Sequence, residues 1–230
     1  MPPPELRFRV AGTEDEEWFD RSGRMTVDSF QAALRNLGRD LTEFSDIYDF
    51  GAGCGRALRH LIERVPRARV AASDSDGLAV EWLQRNWPTV DVRLNGGLPP
   101  LNFETGRFDL VLAFSVFTHL DEAYQDAWLA ELQRVTRPGA ILLLTVHGPW
   151  NWRDHLEKIP ELAQHQQTLD QHGFLFYTGD QWSQYFADYY HTSFHQPWYI
   201  RDRWSKWFDV VDIAQSAAQP PQDLVVLRRA

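Results

Sequence analysis

The sequence predicts an α/β domain built on a parallel β-sheet, and three observations carry that prediction. From about residue 46 to residue 147, short apolar runs alternate with amphipathic stretches, the pattern of strands joined by crossover helices. The first run, Ile47-Tyr48-Asp49-Phe50, opens straight into a loop with glycine at alternate positions, Gly51-Ala52-Gly53-Cys54-Gly55-Arg56, and an Ala-Leu-rich helix follows. The second run, Arg69–Ser73, ends at an acid, Asp74, which lies 23 residues beyond Gly51.

Taken in order, the chain starts with Met1-Pro2-Pro3-Pro4-Glu5, which lacks the basic and apolar regions of a signal peptide; residues 1–14 read as a disordered tail. An amphipathic helix is predicted from Thr26-Val27-Asp28-Ser29-Phe30 to about Leu37, with Thr26 as its cap. In the glycine loop the backbone turns sharply and approaches a ligand closely, and the next helix offers unpaired N–H groups. That is the first turn of a nucleotide-binding unit. The spacing is G-x-G-x-G, however, not the dinucleotide G-x-G-x-x-G, and Asp49 stands two residues before the first glycine. A carboxylate there repels a pyrophosphate and suits a cationic ligand. Asp74 occupies the position of an acid that binds ribose hydroxyls, with Ser75 beside it, while Asp76 reads as the cap of a helix over Leu78–Asn86.

A third strand, Val90–Leu94, leads to the loop Asn95-Gly96-Gly97-Leu98-Pro99-Pro100. A fourth, within Gly106–Ser115, ends at Phe114-Ser115 on the ligand crevice. Trp128–Val135 is helical, Thr136-Arg137-Pro138-Gly139 breaks it, and Ala140–Val146 is a buried fifth strand. Near the end, Trp207–Asp212 and Asp223–Leu227 read as two strands joined by a Pro-containing loop.

The set resembles the class I S-adenosylmethionine-dependent methyltransferases over roughly residues 44–147 and 204–228. It rests on the glycine loop, Asp74, Val116-Phe117-Thr118-His119-Leu120, the helix–Arg-Pro-Gly–strand run and the closing hairpin. The resemblance implies a Rossmann-like mixed sheet of seven strands whose last strand runs antiparallel. It also implies the cofactor S-adenosylmethionine, with the acid at 49 near the methionine amino group and Asp74 on the ribose. Residues Asp49–Arg56, Asp74, Ser75, Gly96, Gly97, Leu98, Phe114 and Ser115 are thereby expected to bind the cofactor. Many members place an acid in the loop at 95–97 for the adenine amino group; here Asn95 or backbone groups must serve.

Between the fifth strand and the closing hairpin, residues 147–203 read as an inserted cap, and long inserts in compact domains are usually functional. Six of the eight histidines and six of the ten tryptophans follow Val146. Helices are expected over Asp154–Gln171 and Asp180–Phe186, and a short strand over Gly173–Tyr177. The aromatic stretch Tyr189–Tyr199 has the character of a small-molecule pocket or of a cap packed on the sheet edge. Tyr190, Tyr199 and Trp150 are candidate acceptor contacts. His191 and His195 are the first candidates for a general base, with His147 and His119 next, since imidazole titrates near neutral pH. No acid or cysteine completes a metal set with these histidines.

Composition narrows the function. With 43% hydrophobic and 24% charged residues, the chain reads as one soluble domain over 1–230. Its net charge of −9 disfavours a nucleic-acid partner, and no apolar run approaches a membrane span. The only cysteine, Cys54, points to a reducing cytoplasm and reads as a small loop residue rather than a nucleophile. The expected reaction is methyl transfer from S-adenosylmethionine to an oxygen or nitrogen of a small molecule. The alternatives are a nicotinamide-dependent oxidoreductase, which Asp49 and the loop spacing disfavour, and a cofactor-binding pseudoenzyme.

Overall fold

The computed structural model describes residues 1–179 and 187–230. Its strands are β1 (Asp46–Phe50), β2 (Arg69–Asp74), β3 (Asp91–Leu94), β4 (Phe108–Ala113), β5 (Thr136–Val146), β6 (Phe174–Tyr177), β7 (Thr192–His195), β8 (Asp209–Ala218) and β9 (Gln222–Arg228). Seven of them form one sheet in the order β3-β2-β1-β4-β5-β9-β8, and β6 pairs with β7 in a separate hairpin. Strands β1 to β5 run parallel, and β9 runs antiparallel to both neighbours. This is the Rossmann-like seven-stranded mixed sheet that the resemblance implies. The chain leaves β1 toward β2 on one side and later returns to β4 on the other. A crevice therefore opens at the C-terminal ends of β1 and β4.

Alternation along the strands decides what each face buries. Ile47, Leu110, Leu112, Ile141 and Leu143 point to a core completed by Phe30, Leu34, Leu58, Leu61 and Leu83. Those partners lie on α2 (Glu16–Asn36), α3 (Leu58–Arg64) and α4 (Gly77–Asn86). Tyr48, Val111, Leu142 and Leu144 point to the opposite core, with Trp128, Leu129 and Leu132 of α5 (Glu122–Val135) and with Ile200 and Trp204. Each fully buried leucine or phenylalanine contributes about 2 kcal/mol, so both faces are strongly specified.

Three local expectations give way to the structure. Residues 4–11 are not a disordered tail but a helix, α1 (Pro4–Ala11). Leu6 is buried in a small cluster with Phe19, Cys54 and Ala79, and Gly12 ends the helix in the left-handed conformation. The next helix starts at Glu16 rather than Thr26, because the Asp15 carboxylate accepts from the Trp18 N–H and caps it. Thr26 is interior, and its hydroxyl lies against the carbonyls of Ser22 (3.0 Å) and Gln219 (2.8 Å). The helix expected over Asp154–Gln171 is instead α6 (Pro149–Lys158), a 3-10 turn (Pro160–His165) and α7 (Gln166–His172). Pro160 supplies no N–H and restricts Ile159, which breaks the helix there. The aromatic stretch holds β7, followed by α8 (Pro197–Arg203). The helix expected over Asp180–Phe186 lies outside the described residues. Among the described residues, no helix is long and apolar enough to cross a membrane.

Candidate active site

Directly after β1 the chain enters the glycine loop, where Gly51 and Gly53 adopt φ of 74° and 56°. A side chain at Gly51 would strike Val116, and a Cβ on Gly53 would lie 2.6 Å from Val10 of α1. Both turns therefore require glycine for conformation and for space. The loop is tied to β2 by the Gly53 N–H, which donates to Asp74 Oδ2 at 2.7 Å. Asp74 Oδ1 accepts from the Asp76 N–H (2.8 Å), and Asp76 in turn caps α4 through the Leu78 N–H (3.0 Å). Across the crevice Ser115, at the end of β4, holds φ at 60°, a sparsely populated conformation for a non-glycine residue, and its N–H donates to Thr145 Oγ1.

These elements enclose a cavity of about 580 Å³. One end is walled by the glycine loop, Asp74–Asp76 and Asn95–Gly97; the other by Phe114–Val116, His119, His147, His155, Tyr190 and Gln222. Residues Arg9–Gly12 and Trp18 close it from the N-terminal side. Arg9 pairs with Asp76 at 3.1 Å, which holds α1 against the rim.

Electrostatics within the cavity are uneven. Asp49 is 5% exposed and its Oδ2 has no hydrogen-bond partner among the described residues. Burial first, and the neighbouring Asp74 second, push its carboxyl up to about 7. Arg56 is also buried; its guanidinium lies 4.9 Å from the Phe114 ring, and burial pulls it down to about 10. Burial raises Asp74 as well, against the N–H groups of Asp76 and Gly53, which lower it.

At the far end, ring centroids of His119 and His147 lie 6.0 Å apart and those of His147 and His155 lie 5.2 Å apart. Burial and then the other histidines push His147 well below its ordinary value. His119 stacks on Tyr190 at 4.1 Å, and its Nδ1 donates to the His191 carbonyl at 3.1 Å. Strand β7 is stitched over this end: Ser193 N–H donates to the Thr118 carbonyl and His195 N–H to the His147 carbonyl, both at 2.8 Å.

Residues 47–139 match the family model for a methyltransferase domain. The fold also matches magnesium protoporphyrin IX methyltransferase from Synechocystis PCC 6803 with bound S-adenosylhomocysteine, at 18% identity and a TM-score of 0.65. That match covers 97% of this chain and 93% of that one. A second likeness is to Burkholderia thailandensis 1,6-didemethyltoxoflavin-N1-methyltransferase with bound 1,6-didemethyltoxoflavin and S-adenosylhomocysteine, at 18% identity and TM-score 0.61, covering 100% and 91%. Over residues 47–139 the chain has the sequence of a methyltransferase domain, and its fold is shared with these S-adenosylhomocysteine-bound structures. A third structure, a Pyrococcus horikoshii OT3 protein, aligns over 94% of this chain and 92% of itself at 12% identity and TM-score 0.62. No curated protein sequence matches the chain.

Most residues expected at the cofactor line the cavity: Asp49 to Gly53, Arg56, Asp74, Ser75, Gly96, Gly97, Phe114 and Ser115. Cys54, Gly55 and Leu98 stand outside its wall. The Cys54 thiol is buried, directed at the Leu6 carbonyl (3.4 Å) and pushed up to about 12 by burial, which makes it inert. Gly55 packs beneath Leu83 and Trp87, and Leu98 is exposed. Asn95 does face the cavity, its Oδ1 accepting from Ser73 Oγ and its Nδ2 donating to the Gly96 carbonyl.

The ranking of histidines reverses. His147 and His119 line the cavity, whereas His191 and His195 stand behind it. His195 is packed between β7 and α5, its Nε2 at 3.0 Å from the Gln125 amide, and burial pulls it down to about 3. Tyr190 lines the cavity; Tyr199 is turned away with its hydroxyl donating to Glu122 (2.7 Å), and Trp150 is exposed outside. Residues the sequence reading missed include the α1 segment, Trp128, His155 and Gln222. His155 was findable, because a helix starting at Pro149 right after β5 must lie over the crevice mouth.

Proposed function

We propose that this methyltransferase acts on a small molecule, moving the methyl group of S-adenosylmethionine to an oxygen or nitrogen. One observation carries the reading: a single cavity joins the glycine loop to a wall of histidines and Tyr190 at the ends of β4 and β5. The residues fit the cofactor. Asp49 offers a buried carboxylate oxygen that lacks a partner among the described residues, suited to the methionine ammonium. Arg56 offers a buried cation on the same wall, suited to its carboxylate, since no hydrogen bond or ion pair occupies it among the described residues. Asp74 keeps lone pairs for ribose hydroxyls beyond those that the Gly53 and Asp76 N–H groups use. Asn95 and the Gly96-Gly97 backbone stand at the adenine end.

When bound, the cofactor supplies an electrophilic methyl on a sulfonium that leaves as a neutral thioether. The chain's task is then alignment. Holding both reactants in line at near-attack distance supplies several kcal/mol of rate enhancement, and the rigid loop, Ser115 and the β7 stitching serve that end. His147 or His119 takes the place of general base when the acceptor is a hydroxyl. The 1,6-didemethyltoxoflavin of the Burkholderia complex supports a small acceptor. The net charge of −9 supports the absence of a nucleic-acid substrate, and the single buried cysteine supports a cytoplasmic location.

A nicotinamide dinucleotide is disfavoured because its pyrophosphate would lie against the Asp49 carboxylate. Titration calorimetry with S-adenosylmethionine and with NAD separates these readings. Binding of the first only, followed by S-adenosylhomocysteine formation with a metabolite library, is the expected result. Binding of NAD alone sinks the proposal, and cofactor binding without turnover on any small molecule points to a pseudoenzyme.

A further inference from the structure

Charge is segregated along the cavity. The carboxylates among its described walls, Asp49, Asp74 and Asp76, sit on the β1 and β2 side. The opposite end, built after β4, β5 and at the start of β9, carries imidazoles and an amide. Hydrogen-bond partners fix what that end presents. His155 Nδ1 lies 2.8 Å from the Asn151 carbonyl, which only accepts, so Nδ1 carries the proton and Nε2 keeps its lone pair. Gln222 Nε2 donates to Ser115 Oγ at 3.1 Å, which leaves Oε1 as a buried acceptor without a partner among the described residues. His147 is 8% exposed and its Nδ1 has no partner among the described residues. The groups facing His147 are His119 from the turn after β4, His155 from α6 and His195 from β7; Asp223 of β9 packs on the adjoining Gly148. Burial and the mutual repulsion of these imidazoles keep His147 neutral.

At the two positions these bonds fix, His155 Nε2 and Gln222 Oε1, the wall takes hydrogen bonds rather than giving them. A buried acceptor without a donor costs free energy that a ligand hydroxyl recovers. An ammonium ion has no carboxylate waiting for it there among the described residues, and it would share the cavity with Arg56 and the donor sulfonium. We propose that the methyl acceptor is a hydroxyl compound, a phenol or alcohol with a second hydrogen-bond donor, whose reacting O–H is held and deprotonated by His147. The second donor is met by His155 Nε2 or Gln222 Oε1. In the balanced step the O–H bond breaks and its proton passes to His147. The oxygen lone pair forms the new O–C bond as the S–C bond of the donor breaks, and His147 later releases the proton to solvent. The inference rests on the reading that this end of the cavity holds a small-molecule acceptor.

The test uses the full chain, S-adenosylmethionine carrying a ¹³C methyl, and a library in which each scaffold is present as alcohol or phenol and as the matching amine. The carbon shift of the labelled product identifies the atom methylated. O-methyl products are expected; products methylated only on nitrogen overturn this inference but leave small-molecule transfer standing. No labelled product, with the cofactor bound by calorimetry, overturns the small-molecule reading itself. With the hydroxyl substrate in hand, His147→Ala should lose about 10²–10⁴-fold in rate, recover in added imidazole, and bind S-adenosylmethionine as before. Full activity, or a loss that imidazole leaves untouched in both His147→Ala and His147→Asn, refutes the base assignment. Calorimetry of the acceptor on the S-adenosylhomocysteine complex should show about tenfold weaker binding in His155→Phe, restored in His155→Gln, whose amide oxygen again accepts. Equal affinity in all three, together with equal affinity in Gln222→Leu, removes the second-donor contact.

Discussion

Replacing Asp49 by Asn should make the ligand-free protein more stable and the cofactor bind less well. The carboxyl is displaced from 3.8 to about 7 by burial and by Asp74. Between those values the folded state holds a proton that the unfolded chain has lost, so stability falls as pH rises from about 4 to 7. The full displacement corresponds to about 4 kcal/mol, an upper bound, since neighbouring groups relax. Asn is isosteric and uncharged, so the variant should melt higher than the parent at pH 8, where the penalty is complete, and show little gain near pH 4. Cofactor binding moves oppositely. Loss of a charge-assisted pairing with the methionine ammonium costs about 1.5–3 kcal/mol, roughly 10- to 150-fold in affinity. Parent affinity should fall about tenfold per pH unit below 7, because the carboxyl must first lose its proton. Above about 8 the ligand's own α-amino group deprotonates, giving a bell-shaped profile. Calorimetry and thermal melts from pH 5.5 to 9 read both effects. If the Asn variant retains the lower limb of the binding profile, or its apo stability equals the parent's at pH 8, Asp49 is not the charged partner.

Other perturbations separate the remaining parts. Gly53→Val should abolish cofactor binding in a folded protein, because the new side chain meets Val10 and the backbone sits at φ 56°; calorimetry beside a circular dichroism spectrum checks it. Asp74→Ala should weaken S-adenosylmethionine by about 1–3 kcal/mol and loosen the glycine loop, since it also removes the acceptor for the Gly53 N–H. His195 is held neutral down to about 3 against an ordinary 6.5, so the unfolded chain binds more protons between those values. Stability should therefore be lost as pH falls below 6.5; His195→Gln should flatten that loss while leaving the rate constant for methyl transfer within a few-fold, measured by denaturant titration and by S-adenosylhomocysteine release.

Much of this architecture was legible from residues 46–147, because its signals are local. An apolar strand, alternating glycines and an acid two residues upstream leave little room for another turn. The same holds for Asp76, whose position just ahead of Leu78 already reads as a cap. What escaped was set by tertiary contact. Helix α1 is eight residues with a weak apolar pattern, ordered by Leu6 in its pocket and Arg9 on Asp76. In the cap, the aromatic stretch around His191 and His195 puts them first among the candidate bases. Pairing of β7 with β6 and its docking on Thr118 and His147 turn His195 into the interior and leave His147 at the cavity. The acceptor side thus depended on a hairpin register that a run of aromatic residues does not encode locally.

If one cavity holds the methyl donor with its reactive end toward the His147 wall, a crystal structure of the chain with S-adenosylhomocysteine will show it. The expected electron density puts the methionine ammonium at Asp49, its carboxylate at Arg56, the ribose at Asp74, and the sulfur directed at His147 and Tyr190. A nucleoside lying instead against the histidines, or a sulfur directed away from them toward the Gly96-Gly97 loop, would contradict it.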